Sequence, residues 1–189
     1  NLNDDRLESE YILCNSLIPV QKNGKWGFVD KSNNTIIPFD YTAAYNFNQG
    51  LVKVKKIDSG WGFIDERGTE VIPLIYRHIG DFSEGLVKVA ISYWGKIKWG
   101  FVDKSNKTII PFDYTDAYDF KQGLARVKKG DKWGFIDKNG AECIPTIYSC
   151  IEDFRHGLAK VKKNGKWGFV DKNGTEVISC VYTEAGDFS

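Results

Sequence analysis

The chain has 189 residues, 42% of them hydrophobic and 27% charged, with a formal net charge of +1. That composition is ordinary for a globular chain and lacks the positive excess from which nucleic-acid binders draw affinity, so no nucleic-acid partner is expected. No apolar run approaches the roughly 18 residues of a membrane span and no signal-peptide pattern opens the sequence, so no membrane insertion is expected. The complete absence of methionine reads as the mark of a processed chain or an excised piece.

In chain order, residues 1–16 resemble a degenerate connection or cap. From Leu17 onward one pattern recurs. Trp26-Gly27, Trp61-Gly62, Trp99-Gly100, Trp133-Gly134 and Trp167-Gly168 are each followed by Phe, then Val or Ile, then Asp, at spacings of 35, 38, 34 and 34 residues. From each of the first four Trp residues to the Leu of the next Gly-Leu pair (Leu51, Leu86, Leu124, Leu158) the distance is 25 residues every time. All length variation therefore falls just before each Trp, where a loop tip tolerates insertion. A fixed period of this size is the signature of a repeat architecture. The reading is a single repeat domain, 1–189, with units at about 17–50, 51–85, 86–123, 124–157 and 158–189.

Each unit predicts three strands, seen most cleanly in the fifth. Leu158–Lys163 alternates apolar and charged residues like a half-buried strand. Asn164-Gly165 is a strong hairpin signal, because a type I′ turn needs positive φ at both central residues. Lys166–Asp171 is the second strand, and after Asn173-Gly174 the third is Thr175–Ile178. Pro38, Pro73, Pro111 and Pro145 are expected to end the third strand in the other units, or to place it at an edge. A connection of about 12 residues with a recurrent Tyr and Phe follows. Its closing glycines, Gly50, Gly85, Gly123 and Gly157, are expected at positive φ or at a close backbone approach. The fold class is therefore all-β, tandem three-stranded antiparallel repeats stacked as an open β-superhelix or solenoid. The alternative is a closed, propeller-like ring of five blades, which would remove sheet edges. Residues 26–54 and 99–127 differ at only six of 29 positions, which points to duplication of a two-repeat block.

The pattern K-W-G-F-[VI]-D-K…[VI]-I-P…Y…F…G-L resembles the WG-repeat (KWG-repeat) family of tandem bacterial β-repeats, from about Leu17 to Ser189. Departures are Ser179 in place of Pro, Gly60 in place of the Lys before Trp, and an insertion around Trp94. The resemblance implies tandem β-units and an interaction role, with no catalytic motif.

A two-residue turn at Asn164-Gly165 puts Ala159, Val161, Gly168 and Val170 on one face, and Leu158, Lys160, Lys162, Trp167, Phe169 and Asp171 on the other. Trp26, Trp61, Trp99, Trp133 and Trp167 are expected to form a largely buried structural spine, one per unit. The competing reading is a row of exposed platforms for sugar rings or a peptide, with Lys as cation–π partner. Asp30, Asp65, Asp103, Asp137 and Asp171 are read as hydrogen-bonding the following turn rather than as metal ligands. His78 and His156 lack metal-site spacing, and Cys14, Cys143, Cys150 and Cys180 stand at unrelated repeat positions, so free thiols, no metal and no cofactor are expected. Free thiols lean towards a cytoplasmic setting. Between Leu86 and Trp99, four extra residues relative to the fourth and fifth repeats bring Tyr93 and Trp94 to a hairpin tip. Either Trp94 folds back onto its own hairpin or the neighbouring repeat, or Tyr93 and Trp94 are contact anchors for a partner or for self-association. The functional expectation is a non-catalytic repeat module contacting a protein or a glycan, with a structural spacer as the alternative.

Overall fold

The computed structural model describes residues 17–186, which are strand, turn and loop, with no helix among them. The cap expected at 1–16, and Cys14 with it, lie outside the described residues. Two compact units are present: residues up to Ile79 together with Lys104–Asn106, and Gly80–Asp103 with Lys107 onward.

In the first unit the strands are β1 (Ile18–Lys22), β2 (Lys25–Val29), β3 (Thr35–Ala44), β4 (Leu51–Lys56), β5 (Trp61–Asp65), β6 (Glu70–Tyr76) and β7 (His78–Ile79). Strands β1 to β6 form one antiparallel sheet in sequence order. The second unit holds β8 (Leu86–Tyr93), β9 (Lys96–Asp103), β10 (Thr108–Tyr114), β11 (Asp116–Ala117), β12 (Leu124–Lys129), β13 (Lys132–Asp137), β14 (Glu142–Tyr148), β15 (Cys150–Ile151), β16 (Leu158–Lys163), β17 (Lys166–Asp171) and β18 (Glu176–Tyr182). Here β8, β9 and β10 lie side by side, β11 to β14 form a second sheet and β15 to β18 a third. The architecture is all-β and built from tandem antiparallel repeats, with its strands in separate sheets rather than one closed barrel.

The first hairpin of each repeat follows from alternation and turn chemistry. Lys163 pairs with Lys166, Lys162 with Trp167, Val161 with Gly168 and Lys160 with Phe169. Asn164 and Gly165 take φ of 51° and 78°, the values a type I′ turn requires. Ala159, Val161 and Val170 are fully buried, as the apolar face of the hairpin demands.

The third strand does not stop at proline. Trp26 pairs with Tyr41 and Phe28 with Ile37, so three residues including Pro38 oppose Gly27 alone. The same widened step recurs opposite Gly62, Gly134 and Gly168. Proline is tolerated because a bulge needs no ladder donor there. The bulged backbone presses on the glycine: a β-carbon on Gly27 would meet Ile37 O at 2.8 Å, and one on Gly168 would meet Ile178 O at 2.5 Å. Glycine after Trp is thus the residue that lets the strand pass the bulge. Beyond it the strand resumes and delivers Tyr41, Tyr76, Tyr114 or Tyr148, each nearly fully buried.

A short fourth strand joins the expected three. β11 pairs with β12 through Asp116↔Lys128 and Ala117↔Val127, and β15 pairs with β16 through Cys150↔Lys162 and Ile151↔Val161. In the first unit the far end of β3 does the same job, pairing Ala43 and Ala44 with Lys55 and Val54. The connection then closes in a tight turn whose last glycine takes positive φ: Gly50 77°, Gly85 88°, Gly123 80° and Gly157 83°. No atom lies within 4 Å of a β-carbon built on Gly123, so conformation and not crowding selects glycine there. The core clusters are made of the Phe two residues after Trp, the bulge-side Ile and the Tyr, together with small residues of the first strand, as in Phe28, Ile37, Tyr41, Val52 and Val54. Burial of each large side chain contributes about 1.5–3 kcal/mol.

Candidate ligand-binding site

The five repeat indoles occupy one frame but sit at the rim of the core. All are half-buried, while Phe28, Phe63, Phe101, Phe135 and Phe169 fill the interior. Each Trp pairs across the ladder with a Tyr: Trp26 with Tyr41, Trp61 with Tyr76, Trp99 with Tyr114, Trp133 with Tyr148 and Trp167 with Tyr182. In four repeats a long cationic stem covers the indole. Lys55 Nζ lies 5.8 Å from the Trp61 ring, Lys88 5.8 Å from Trp99, Lys128 5.3 Å from Trp133 and Lys162 5.1 Å from Trp167. Each such contact is worth roughly 0.5–1 kcal/mol when exposed.

The aspartates cap turns. Asp137 Oδ1 accepts from the backbone N–H of Asn139 at 2.8 Å and of Ala141 at 2.9 Å. Asp30, Asp65 and Asp171 make the same pair of bonds, and Asp103 accepts from Lys107 N–H at 3.0 Å. The Asn34 side chain and backbone amides hold the Asp30 carboxyl below its ordinary range. Among the described residues no group of three or more His, Cys, Asp or Glu side chains is arranged to hold a metal. His78 belongs to the first unit and His156 to the second. Cys143, Cys150 and Cys180 form no disulfide, and burial pushes the Cys143 and Cys180 thiols above their ordinary value, which makes them poor nucleophiles.

The inserted hairpin keeps its aromatics in solvent. Tyr93 pairs with Lys96 across a two-residue turn made of Trp94 and Gly95. Trp94 takes φ of 48° and is 88% exposed; Tyr93 is 60% exposed. Their rings meet edge to face at 6.3 Å. Trp94 therefore does not fold back into the core. At the same turn position other repeats carry Asn23 and Asn164, both at φ 51°. Asn tolerates this region, whereas a bulky side chain there costs about 1–2 kcal/mol.

A cleft of about 320 Å³ opens in the second unit beside β12, lined among others by Tyr118, Arg126, Phe135, Asp153, Phe154 and Lys172. The Arg126 guanidinium stacks on Tyr118 with Cζ 3.9 Å from the ring centroid, and Tyr118 lies 5.8 Å from Trp133. Arg126 Nη1 donates to Ile151 O at 3.0 Å and pairs with Asp153 at 3.4 Å. Asp153 also binds Lys121 Nζ at 3.3 Å, and Lys172 Nζ donates to Gln122 Oε1 at 3.0 Å. Phe135 and Phe154 meet at 5.1 Å beneath these groups. Asp119 pairs with Lys88 at 3.5 Å through Oδ2, while its Oδ1 and Arg126 Nε are buried without a hydrogen-bond partner in the protein. Orphans of this kind cost about 1–3 kcal/mol each. The repeat pattern did not point to this cleft, because Tyr118, Asp153 and Lys172 come from three successive connections and turns. A signal was present nevertheless: of the six differences between the near-copies at 26–54 and 99–127, three are Asn46/Asp119, Asn48/Lys121 and Lys53/Arg126.

A family model described as WG containing repeat matches the chain over residues 26–58, 61–91, 99–133, 133–167 and 167–189. No curated protein matches the sequence significantly. Among solved structures, the chain is similar to the computationally designed Ika8 protein, at 15% identity over 85% of this chain and 59% of that one, with a TM-score of 0.45. It is similar to the AfRom2 CNH domain at 12% identity over 87% and 70%, TM-score 0.44. It is similar to BamB from Moraxella catarrhalis at 9% identity over 88% and 58%, TM-score 0.46. The chain thus spans less than two thirds of the length of the designed protein and of BamB.

Proposed function

We propose that this chain, which belongs to the family of WG containing repeats, is a non-catalytic module that contacts a protein or glycan partner, with Tyr93 and Trp94 as anchors. The carrying observation is the conformation of Trp94. Its residue combines a positive φ of 48° with an indole 88% exposed. In the isolated chain both features are unfavourable, and contact with a partner would offset them, since aromatics dominate interface hot spots.

Trp94→Asn tests it, because it restores the Asn-Gly turn used elsewhere in the chain. The labelled chain and the variant are compared on a glycan array and by cross-linking in lysate of the source cells. Loss of recovered partner or glycan signal in a variant at least as stable as the parent supports the reading. If the variant retains every interaction, the anchor role is wrong and a spacer without a specific ligand is the better account.

A further inference from the structure

We propose that the cleft beside β12 is a binding site for a saccharide ring carrying a carboxylate, of the hexuronate type. It uses neither Tyr93 nor Trp94, so it stands or falls separately from the hairpin anchors.

Three observations carry it. The first is where the duplicated block has changed. Residues 99–127 retain the frame of residues 26–54, yet three of their six differences (Asp119, Lys121 and Arg126) line this one cleft. The earlier copy has the neutral Asn46 and Asn48 in the first two places. Substitutions needed only for folding would not have to converge on a cavity. The side chains they introduce also leave Asp119 Oδ1 and Arg126 Nε buried and unpaired, a stability cost that the fold does not require.

The second is the charge of the lining. Lys121, Arg126 and Lys172 line the cleft together with Asp119 and Asp153. Asp119 is taken by Lys88, and Asp153 is shared between Arg126 and Lys121. Lys172 Nζ donates to the neutral Gln122. The cleft therefore holds a cationic excess, with Lys172 as the cation best placed to meet an added anion.

The third is the aromatic lining. Tyr118 keeps 44% of its surface exposed although Arg126 covers one face. Phe154 lies beneath Lys172, 6.0 Å from Nζ. A flat C–H face against Tyr118 and Phe154, hydroxyls towards Gln122 and Asp153, and a carboxylate towards Lys172 use every kind of group present. The volume, about 320 Å³, is at the lower end for small-molecule pockets and suits one ring.

The test titrates the whole chain with sodium D-glucuronate, D-glucose, sodium acetate and tri-glutamate, each followed by amide chemical shifts. Glucuronate is expected to saturate in the millimolar range, about tenfold tighter than glucose or acetate, with shifts centred on Tyr118, Gln122 and Lys172. Lys172→Gln is expected to weaken it about fivefold or more. The combined Asp119→Asn, Lys121→Asn, Arg126→Lys variant restores residues that the first copy already accommodates, so it should fold and lose glucuronate binding. No saturable glucuronate binding by the folded chain overturns the proposal, as does unchanged affinity in the restored variant. Equal binding of acetate would show a site for simple anions only, and tighter binding of tri-glutamate would make the cleft an acidic-peptide site. Either result also overturns it.

Discussion

A β-carbon on Gly100 would stand 2.7 Å from the carbonyl oxygen of Ile110. The obstacle is backbone, held on one side by the ladder of β9 and β10 and on the other by Pro111, so it cannot swing aside as a side-chain tip would. The Trp-Gly step is therefore a matter of clearance: glycine leaves room for the three-against-one bulge that brings Tyr114 back to the core.

Gly100→Ala is accordingly expected to destabilise the chain by about 3 kcal/mol or to dislocate the bulge. Gly123→Ala, in open space at positive φ, should cost about 1 kcal/mol. Urea titrations of the two variants check the ranking, and equal midpoints would remove the clearance argument.

The cross-strand pair Trp133 and Tyr148 ranks the two aromatic rows. Tyr148 is 2% exposed, whereas Trp133 is half-buried under Lys128 and Arg126. Tyr148→Ala should cost about 3–5 kcal/mol as a cavity in a closed core. Trp133→Ala should cost clearly less, because solvent and the cationic stems can fill the space. Thermal unfolding of the two variants decides it; a larger loss at Trp133 would give the indoles the greater share of the packing.

Asp137 bridges two backbone amides of its turn. Asp137→Ala should cost about 1–2 kcal/mol by leaving both N–H groups without that acceptor, and adding calcium or a chelator should not move the melting temperature. A calcium-dependent rise in the parent, absent from Asp137→Ala, would show that this row of carboxylates takes metal after all.

Glu84 joins two connections, accepting from Gly123 N–H at 3.1 Å and pairing with Lys138 at 3.0 Å. The Lys138 ammonium, then the Gly123 amide, hold its carboxyl below the usual value of 4.5. A folded value below the unfolded one means the contribution is complete above the unfolded value and is lost as the pH falls through the folded one. Glu84→Gln should flatten the loss of stability in that acid window and lower stability at neutral pH. Parallel acid titrations of unfolding free energy would show two superimposable profiles if the carboxylate contributes nothing.

The parts legible in the sequence are those encoded over short range. Alternation and Asn164-Gly165 suffice for the register of β16 and β17, and the Asp-to-turn bonds follow from local side-chain chemistry. Pro38, Pro73, Pro111 and Pro145 do not end their strands; proline at a bulge and proline at a strand end look alike until the partner strand shows what lies opposite. The edge position expected as the alternative holds for β6, β10 and β14, each the outermost strand of its sheet. The two-residue strands β11 and β15 have no periodicity to detect and exist only through pairing with β12 and β16. The placement of the indoles depends on a competition for the interior that Phe and Tyr win, since they follow at positions the bulge turns inward. The cleft needed spatial convergence of Tyr118, Arg126, Asp153 and Lys172, and only the uneven divergence of the two near-copies hinted at it.

Because β11 follows β10 in the chain but completes the sheet of β12, β13 and β14, the copied segment and the cooperative unit are out of phase. A piece cut at the Gly-Leu steps, Leu124–Gly157, would carry β15 with nothing to pair it and would leave the outer backbone of β12 bare, an open edge that invites pairing with other chains. A piece running from Asp116 through Tyr148 would hold a whole sheet. Shortening, lengthening or transplanting such an array is therefore governed by a splice point after the buried Tyr, about ten residues ahead of the Gly-Leu boundary at which the eye divides the sequence.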